Sequence, residues 1–416
     1  MVVEELATAF LHHETLGWMH LVDGNWRRDR LTSIFPAAMR LAECAVSETG
    51  QRAKVLTQQF VTSSLNIAKT MNDMATTSDQ WDQDTFLLGT PTGTVDLRSG
   101  QHRPADGDDL ISKQVAVAPA ETEDAPQFKA FLNFAFNGNS ETIAFLQRFL
   151  GYCLTGDMRE QKLLYVYGPG GNGKGVLMRL VLMILGEYGR IAPESTLIQR
   201  GNTHPTDVAF LEGLRLAFVT ETAQGGRFRE VTINSITGAD PMTARKMNKD
   251  FVMFTPECKL MVSGNNIPNL GSVNEAARRR FMILPMTRVP ETPDAGLEAK
   301  LRKELPGILR WMINGCLAWQ AHGLGSCPAI ESATSGYFEQ QDLVGRWIEA
   351  KATLDADAST PVADLYESWR SFLAEVGEEH ESLRAFGSRL TAAGFASRST
   401  TKDKKSVRVR VGIALQ

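Results

Sequence analysis

Gly168-Pro169-Gly170-Gly171-Asn172-Gly173-Lys174-Gly175 is the stretch that decides the fold. The apolar run Leu163-Leu164-Tyr165-Val166-Tyr167 precedes it, and Val176-Leu177-Met178, continuing to Leu185, follows. This order reads as a buried strand, a glycine-rich turn and a helix, the setting in which G-x-x-x-x-G-K wraps a phosphate. Glycines let successive backbone N–H groups turn inward around an anion, which the helix N-terminus also attracts. Lys174 adds a point charge for the terminal phosphates. Gly168, Pro169, Gly170, Gly171, Asn172, Gly173, Lys174, Gly175 and Val176 therefore form the candidate nucleotide cradle. The pattern expects Ser or Thr after the lysine to hold magnesium, and Gly175 has no side chain to offer.

Working outward, the 416 residues accommodate about two to four domains at roughly 100–200 residues each. A chain that is 43% hydrophobic and 22% charged has the composition of a soluble globular protein. It contains no apolar run of about 18 residues, so no membrane span is expected. Met1-Val2-Val3-Glu4-Glu5 lacks the form of a signal peptide. Five scattered cysteines without a C-x-x-C pair read as free thiols of a reducing cytoplasm. The net charge of −4 makes the whole surface no magnet for nucleic acid, but phosphate contacts depend on local charge. The C-terminal end is locally basic, with Arg398, Lys402, Lys404, Lys405, Arg408 and Arg410 against Asp403.

Residues up to about 80 read as mostly helical, from apolar positions recurring at three and four. Short strands punctuated by glycine follow near residues 86–100, and residues 119–126 read as a linker. Asp82 and Asp84 are carboxylates two apart without an apolar strand around them, and read as solvated or turn residues. Beyond the glycine-rich turn, apolar strands alternate with helical or loop segments, the rhythm of an α/β layered sheet. After Cys327-Pro328 the chain reads as a smaller α-rich unit ending in two short strands beyond a basic turn.

Hydrolysis needs more than a cradle. A carboxylate ending a buried strand can hold magnesium and polarise water, and Leu214-Arg215-Leu216-Ala217-Phe218-Val219-Thr220-Glu221 supplies one. A polar side chain at the tip of a neighbouring strand can meet the γ-phosphate, and Asn265 in Leu260-Met261-Val262-Ser263-Gly264-Asn265-Asn266 is placed for it. Arg278-Arg279-Arg280 offers an arginine that could cross a subunit interface. Taken singly, each has a blander reading: a strand end, an Asn turn, a solvated basic cluster.

In order, the chain shows GPGGNGKG, RLAFVTE, ITGADPMTARKM, FTPECKLMVSGNNIP and RRRFMILP. Together these resemble the superfamily 3 helicases of the phage and plasmid primase-helicase family, which includes poxvirus proteins. GTVDLRSGQ and FLQRFLGYCLTGD upstream resemble that family's N-terminal domain, and ELPGILRWMINGCLAW downstream its continuation. The resemblance covers nearly the whole chain. It implies an AAA+-type P-loop NTPase core of α/β class, with a mostly helical N-terminal domain (residues 1–125), the core at 126–328 and a winged-helix-like domain at 329–416.

The resemblance further implies an ATP-dependent motor that closes into a homo-oligomeric, commonly hexameric, ring on single-stranded DNA and unwinds duplex 3′ to 5′. ATP and Mg2+ would be its cofactors and Glu221 the metal's carboxylate. Lys174, Glu221 and Asn265 would act in one subunit, with Arg279 or Arg280 reaching in from the next. Arg245, Lys246 and Lys249, in the family's channel-facing hairpin, would meet DNA phosphates. Lys404 and Lys405, in the wing, would approach duplex DNA, although a protein-docking role suits the same unit. Two departures stand out: Gly175 replaces a hydroxyl residue, and Asn234 stands where lysine is frequent. No primase active site is apparent, so a separate primase is the expected partner, in the cytoplasm of a bacterial host of a phage or plasmid. The competing expectation is a nucleotide-binding origin-recognition or loader protein with little turnover.

Overall fold

The computed structural model describes residues 2–49, 57–199, 208–220, 226–245, 251–270, 273–325, 327–378, 380–402 and 405–416. The chain begins with helix α1 (Val2–Ala7), strands β1 (Phe10–His13), β2 (Gly17–Val22) and β3 (Asn25–Arg28), helices α2 (Ile34–Thr49) and α3 (Gln58–Ala68), and the short β4 (Ala75–Thr76). The four strands form one sheet in the order β3-β2-β1-β4. The expectation of a mostly helical N-terminal region is therefore corrected: it is mixed. The cause is local. Asp23 and Gly24 take φ of 51° and 78° and join β2 to β3 with Val22 opposite Asn25. A two-residue Asp-Gly turn of this hand matches the twist of the strands it joins.

Next come β5 (Leu87–Thr90), β6 (Gly93–Asp96) and β7 (Gln101–Arg103), a three-stranded antiparallel meander. Leu88, Val95, Leu97 and Val115 join the same apolar cluster as the helices that follow, so this meander packs with the core. Asp82 does sit in a turn, at φ 54°, but it is only partly exposed. It accepts hydrogen bonds from the Ser112 amide and the Lys113 ammonium, both at 2.8 Å. Burial opposes its ionisation, yet Lys113 and the Ser112 donors hold the carboxyl below its ordinary value. Asp84 takes both Arg98 terminal nitrogens, at 2.9 and 2.8 Å.

The core contains α4 (Pro126–Ala135), α5 (Ser140–Tyr152), β8 (Leu163–Tyr167), α6 (Lys174–Leu185), β9 (Gly189–Ile191) and β10 (Leu216–Thr220). It continues through α7 (Glu230–Gly238), β11 (Met242–Arg245), β12 (Phe251–Phe254), β13 (Lys259–Gly264), α8 (Glu275–Arg278) and β14 (Phe281–Pro285). Helices α9 (Leu297–Arg302), α10 (Leu305–His322) and α11 (Pro328–Gln341) follow. Strands β14-β8-β13-β10-β9 make one parallel sheet in that order.

Alternate residues of each strand serve opposite faces. Leu164, Val166, Leu216, Phe218, Met261 and Leu284 meet Leu177, Val181 and Ile184 of α6 on one side. Leu163, Tyr165, Ala217, Val219, Leu260 and Ile283 meet Ile233 and Ile236 of α7, and Tyr337 and Phe338 of α11, on the other. Both faces being covered explains why the strands read as unbroken apolar runs. Helix α11 thus packs with the sheet, which places residues 328–341 with the core and not with the unit after it.

That last unit runs α12 (Leu343–Lys351), β15 (Ala352–Pro361), α13 (Val362–Val376), α14 (Leu383–Ala392), β16 (Ser397–Lys402) and β17 (Lys405–Leu415). Its antiparallel sheet has the order β15-β17-β16. Trp347, Trp369 and Phe386 form its centre, with ring centroids 5.3–5.9 Å apart. Among the described residues, no helix is long and apolar enough to cross a membrane.

Candidate nucleotide and nucleic-acid sites

In a parallel sheet, ligands bind beyond the carboxyl ends of the strands, where neighbouring connections diverge. Strands β8 and β13 are neighbours, and their connections leave toward different elements. From β8 the chain enters residues 168–173 and then α6. Gly173 takes φ 93°, and a Cβ there would lie 2.7 Å from the Phe131 ring, so only glycine suits this entry to the helix. Asn172 is buried and its amide nitrogen donates to the Met286 carbonyl, pinning the loop to the segment after β14.

Lys174 is 7% exposed and lies inside this loop. Its ammonium donates to the carbonyls of Gly168 (2.6 Å) and Pro169 (2.7 Å) and to Asn172 Oδ1 (3.0 Å). It also donates to Asn265 Oδ1, at 3.2 Å. Burial holds the Lys174 pKa below its ordinary value. The structure therefore brings together Lys174 and Asn265, which are far apart in sequence. Pro169, Gly170, Gly171 and Gly175 are exposed along the rim of the loop, and Val176 packs against the core. Glu221 would follow the last residue of β10, Thr220, which lies opposite Ser263 of β13, but Glu221 is outside the described residues.

The arginines are not near this loop. Phe281 pairs with Leu163 at the start of both strands, whereas the loop leaves from Tyr167 at their end. Arg279 is exposed. Arg280 is buried, and donates to Thr237 Oγ1 at 3.0 Å and to the Ala276 carbonyl at 3.1 Å. With its guanidinium committed inside its own chain, Arg280 is not free to cross an interface, which corrects its candidacy. Arg278 lies over the Phe338 ring at 5.0 Å.

Strands β11 and β12 form an antiparallel hairpin with Thr243 opposite Met253 and Arg245 opposite Phe251. These four side chains share one face. Arg245 is exposed and its guanidinium stands 5.5 Å from the Phe251 ring centre. Lys246 and Lys249 are outside the described residues. Phe251 and Met253 are 61% and 75% exposed, unusual for side chains of this size. Phe251-Val252-Met253-Phe254 is apolar throughout, so the sequence holds no alternation that marks this face; exposure alternates along the strand only in the structure.

In the C-terminal unit, Arg398 and Arg408 are exposed on β16 and β17. Lys404 and the side chain of Lys405 are outside what is described. Arg410 departs from the basic group read in the sequence. It is buried, donating to Thr391 Oγ1 (2.9 Å) and to the carbonyls of Phe395 (2.8 Å) and Gly387 (2.5 Å). Among the described residues no cluster of three His, Cys, Asp or Glu could hold a metal ion.

Against known proteins, residues 1–137 match the D5 N terminal like family, and residues 166–280 match a family of unknown function (DUF5906). "Putative helicase L207/L206" of Acanthamoeba polyphaga mimivirus is 23% identical over 320 residues, covering 70% of this chain and 33% of that protein. "Putative helicase 022R" of Frog virus 3 is 24% identical over 266 residues, 58% of this chain and 27% of its own length. The chain thus spans a third or less of these relatives. The apo structure of the NrS-1 C-terminal region shares the fold, with a TM-score of 0.52 at 12% identity over 99% of this chain and 98% of that one. Residues 1–137 are thus similar to the D5 N terminal like family, and the chain is similar to proteins of large DNA viruses that are named putative helicases and a putative primase.

Proposed function

We propose that this chain is the motor portion of an ATP-dependent DNA helicase of the superfamily 3 type, active as a ring of identical subunits in replication of a mobile or viral genome. The observation that carries the reading is the 3.2 Å contact between Lys174 and Asn265 at the carboxyl ends of adjacent parallel strands. A binding loop alone would need only the lysine. A polar side chain held against that lysine from the neighbouring strand is the arrangement that senses a γ-phosphate or its water. The insertion of β13 between β8 and β10 supports an AAA+-type P-loop core for the same reason, because it creates that neighbour.

ATP with Mg2+ is the proposed ligand. Lys174 would exchange its carbonyl partners for β- and γ-phosphate oxygens, while the loop amides and the α6 N-terminus hold the remaining charge. Gly175 supplies no oxygen to a divalent cation, and Glu221 is outside the described residues, so the described residues do not by themselves make a magnesium site. When bound, the cation would neutralise phosphate charge. Arg279 would complete the site of a neighbouring subunit. The hairpin face with Arg245, flanked by Lys246 and Lys249, would track single-stranded DNA in the ring channel. The helix–strand–helix–helix–strand–strand order after Leu343 supports a winged-helix reading, with Lys404 and Lys405 in the wing near duplex DNA.

The reading is tested by ATP turnover with and without single-stranded DNA, beside a mass measurement of the assembly. DNA-stimulated turnover should vanish in Lys174→Ala and in Arg279→Ala, and mixing the two variants should restore part of it. Turnover indifferent to both substitutions rejects the site. Nucleotide binding and assembly without turnover would favour the loader reading, for which the missing hydroxyl at Gly175 is the specific argument.

A further inference from the structure

We propose that Arg179 is a phosphate-binding residue, supplying from within the same chain the positive charge that a hydroxyl-bound cation would supply at position 175; this rests on the P-loop reading above. Gly175 and Arg179 are four apart on α6, hence on the same face. Helical side chains lean toward the helix N-terminus, so the Arg179 side chain runs back over the first turn. A Cβ built on Gly175 would meet Arg179 NH1 at 3.1 Å and its central carbon at 4.0 Å. One edge of the guanidinium, at NH1, therefore stands against the place that the Cβ of a serine or threonine at this position would take.

Its orientation is fixed by Glu298 on α9. Glu298 Oε2 accepts from Arg179 Nε at 3.0 Å and lies 2.9 Å from NH2 in an ion pair. The other carboxylate oxygen accepts from Arg302 at 2.9 Å. Two of the three guanidinium nitrogens are thus turned away toward α9, and NH1 is left facing the start of α6. That is where the amides of a phosphate cradle converge. Arginine keeps its charge at any working pH and donates in a fixed fork suited to phosphate oxygens. Gly175 leaves the space open for it, which gives a physical reason for the departure from Ser or Thr.

The consequence is nucleotide binding with reduced dependence on magnesium. The experiment measures equilibrium binding of ATP to the full chain in excess Mg2+ and in EDTA. For the unaltered protein, the expected change between the two conditions is within about threefold. Arg179→Ala should lose about tenfold or more in EDTA, as removal of a charge-assisted hydrogen bond does. Gly175→Ser should regain magnesium dependence. Glu298→Gln removes the carboxylate that orients the guanidinium but keeps the guanidinium itself, so its loss of binding in EDTA should be clearly smaller than that of Arg179→Ala.

Arg179 is half exposed, so its replacement should fold, and a thermal melt checks this. Binding by Arg179→Ala equal to that of the unaltered protein in both conditions overturns the inference while leaving the P-loop intact. A loss in Glu298→Gln as large as in Arg179→Ala overturns it too, by showing a purely structural role. If the unaltered protein binds no ATP, or Lys174→Ala binds as well as it does, the P-loop reading itself falls and takes this inference with it.

Discussion

Lys259, the first residue of β13, makes the stability of the core depend on pH in a direction opposite to that of its neighbouring thiols. It is 1% exposed. Its ammonium donates to the Thr155 carbonyl and to the Glu257 carbonyl, the latter at 3.3 Å, and stands 4.6 Å from the Tyr152 ring centre. Burial lowers its pKa from 10.5 to about 8. Between those values the unfolded chain holds a proton that the folded chain has released, so this group's contribution to stability rises with pH. Its cost is fully present below pH 8. With each pKa unit equal to about 1.36 kcal/mol, moving from pH 7 to pH 9 should relieve roughly 1 kcal/mol.

Burial pushes the Cys153, Cys258 and Cys316 thiols up to about 12 from 9.0, and they act the other way above pH 9. The measurement is therefore a difference. Urea unfolding of the protein and of Lys259→Met is followed at pH 7, 8 and 9, and the two free energies are subtracted at each pH. The gap should move in favour of the native residue by roughly 1 kcal/mol across the series. A gap that stays level would mean that Lys259 titrates as an ordinary amine, and the reasoning would be wrong.

Three further outcomes follow from the packing and the exposed hairpin. A Cβ at Gly151 of α5 would clash with the Cys316 amide of α10 and lie 2.7 Å from the Met312 carbonyl. Gly151→Ala should therefore cost about 1–3 kcal/mol and lower the melting temperature, whereas Gly336→Ala in α11, with nothing within 4 Å, should be neutral or slightly stabilising. On the hairpin, Phe251→Ala should weaken single-stranded DNA binding by about 1–3 kcal/mol, the value of one base–aromatic stack. Fluorescence anisotropy would read it, and unchanged affinity would assign the exposed ring to some other contact.

The parts of the fold that were legible in the sequence are those in which local chemistry and tertiary demand coincide. Strands β8, β10 and β13 are buried on both faces, so burial alone makes them apolar runs, and the turn after β8 requires glycine at Gly168 and Gly173, where a Cβ would run into Met286 and Phe131. The N-terminal sheet was harder. Trp18, His20 and Arg27 sit on strand positions whose amphipathic side chains blur the alternation, and the decisive Asp23-Gly24 turn is two residues long. Charge was the other blind spot. Arg280, Arg410 and Lys259 are written in the same letters as solvent-facing cations, and their burial follows from carbonyls and hydroxyls that distant segments bring to them.

The same geometry bears on how the two halves of the candidate site can meet. Strands β8 and β14 run parallel in register, Phe281 beside Leu163 and Pro285 beside Tyr167. The loop that holds Lys174 leaves from the far end of β8, and Arg279 precedes the near end of β14. Four strand steps at about 3.3 Å each separate those ends, and the covered sheet lies between them. Arg279 therefore cannot serve the loop of its own chain without dismantling β14. An arginine in this position acts on a second copy of the chain, or it has no part in the chemistry. Arg179 is different in kind, since it already lies over the first turn of α6. The two residues separate two properties in one protein: dependence of nucleotide binding on Arg179 should survive dilution to the monomer, and dependence of turnover on Arg279 should not.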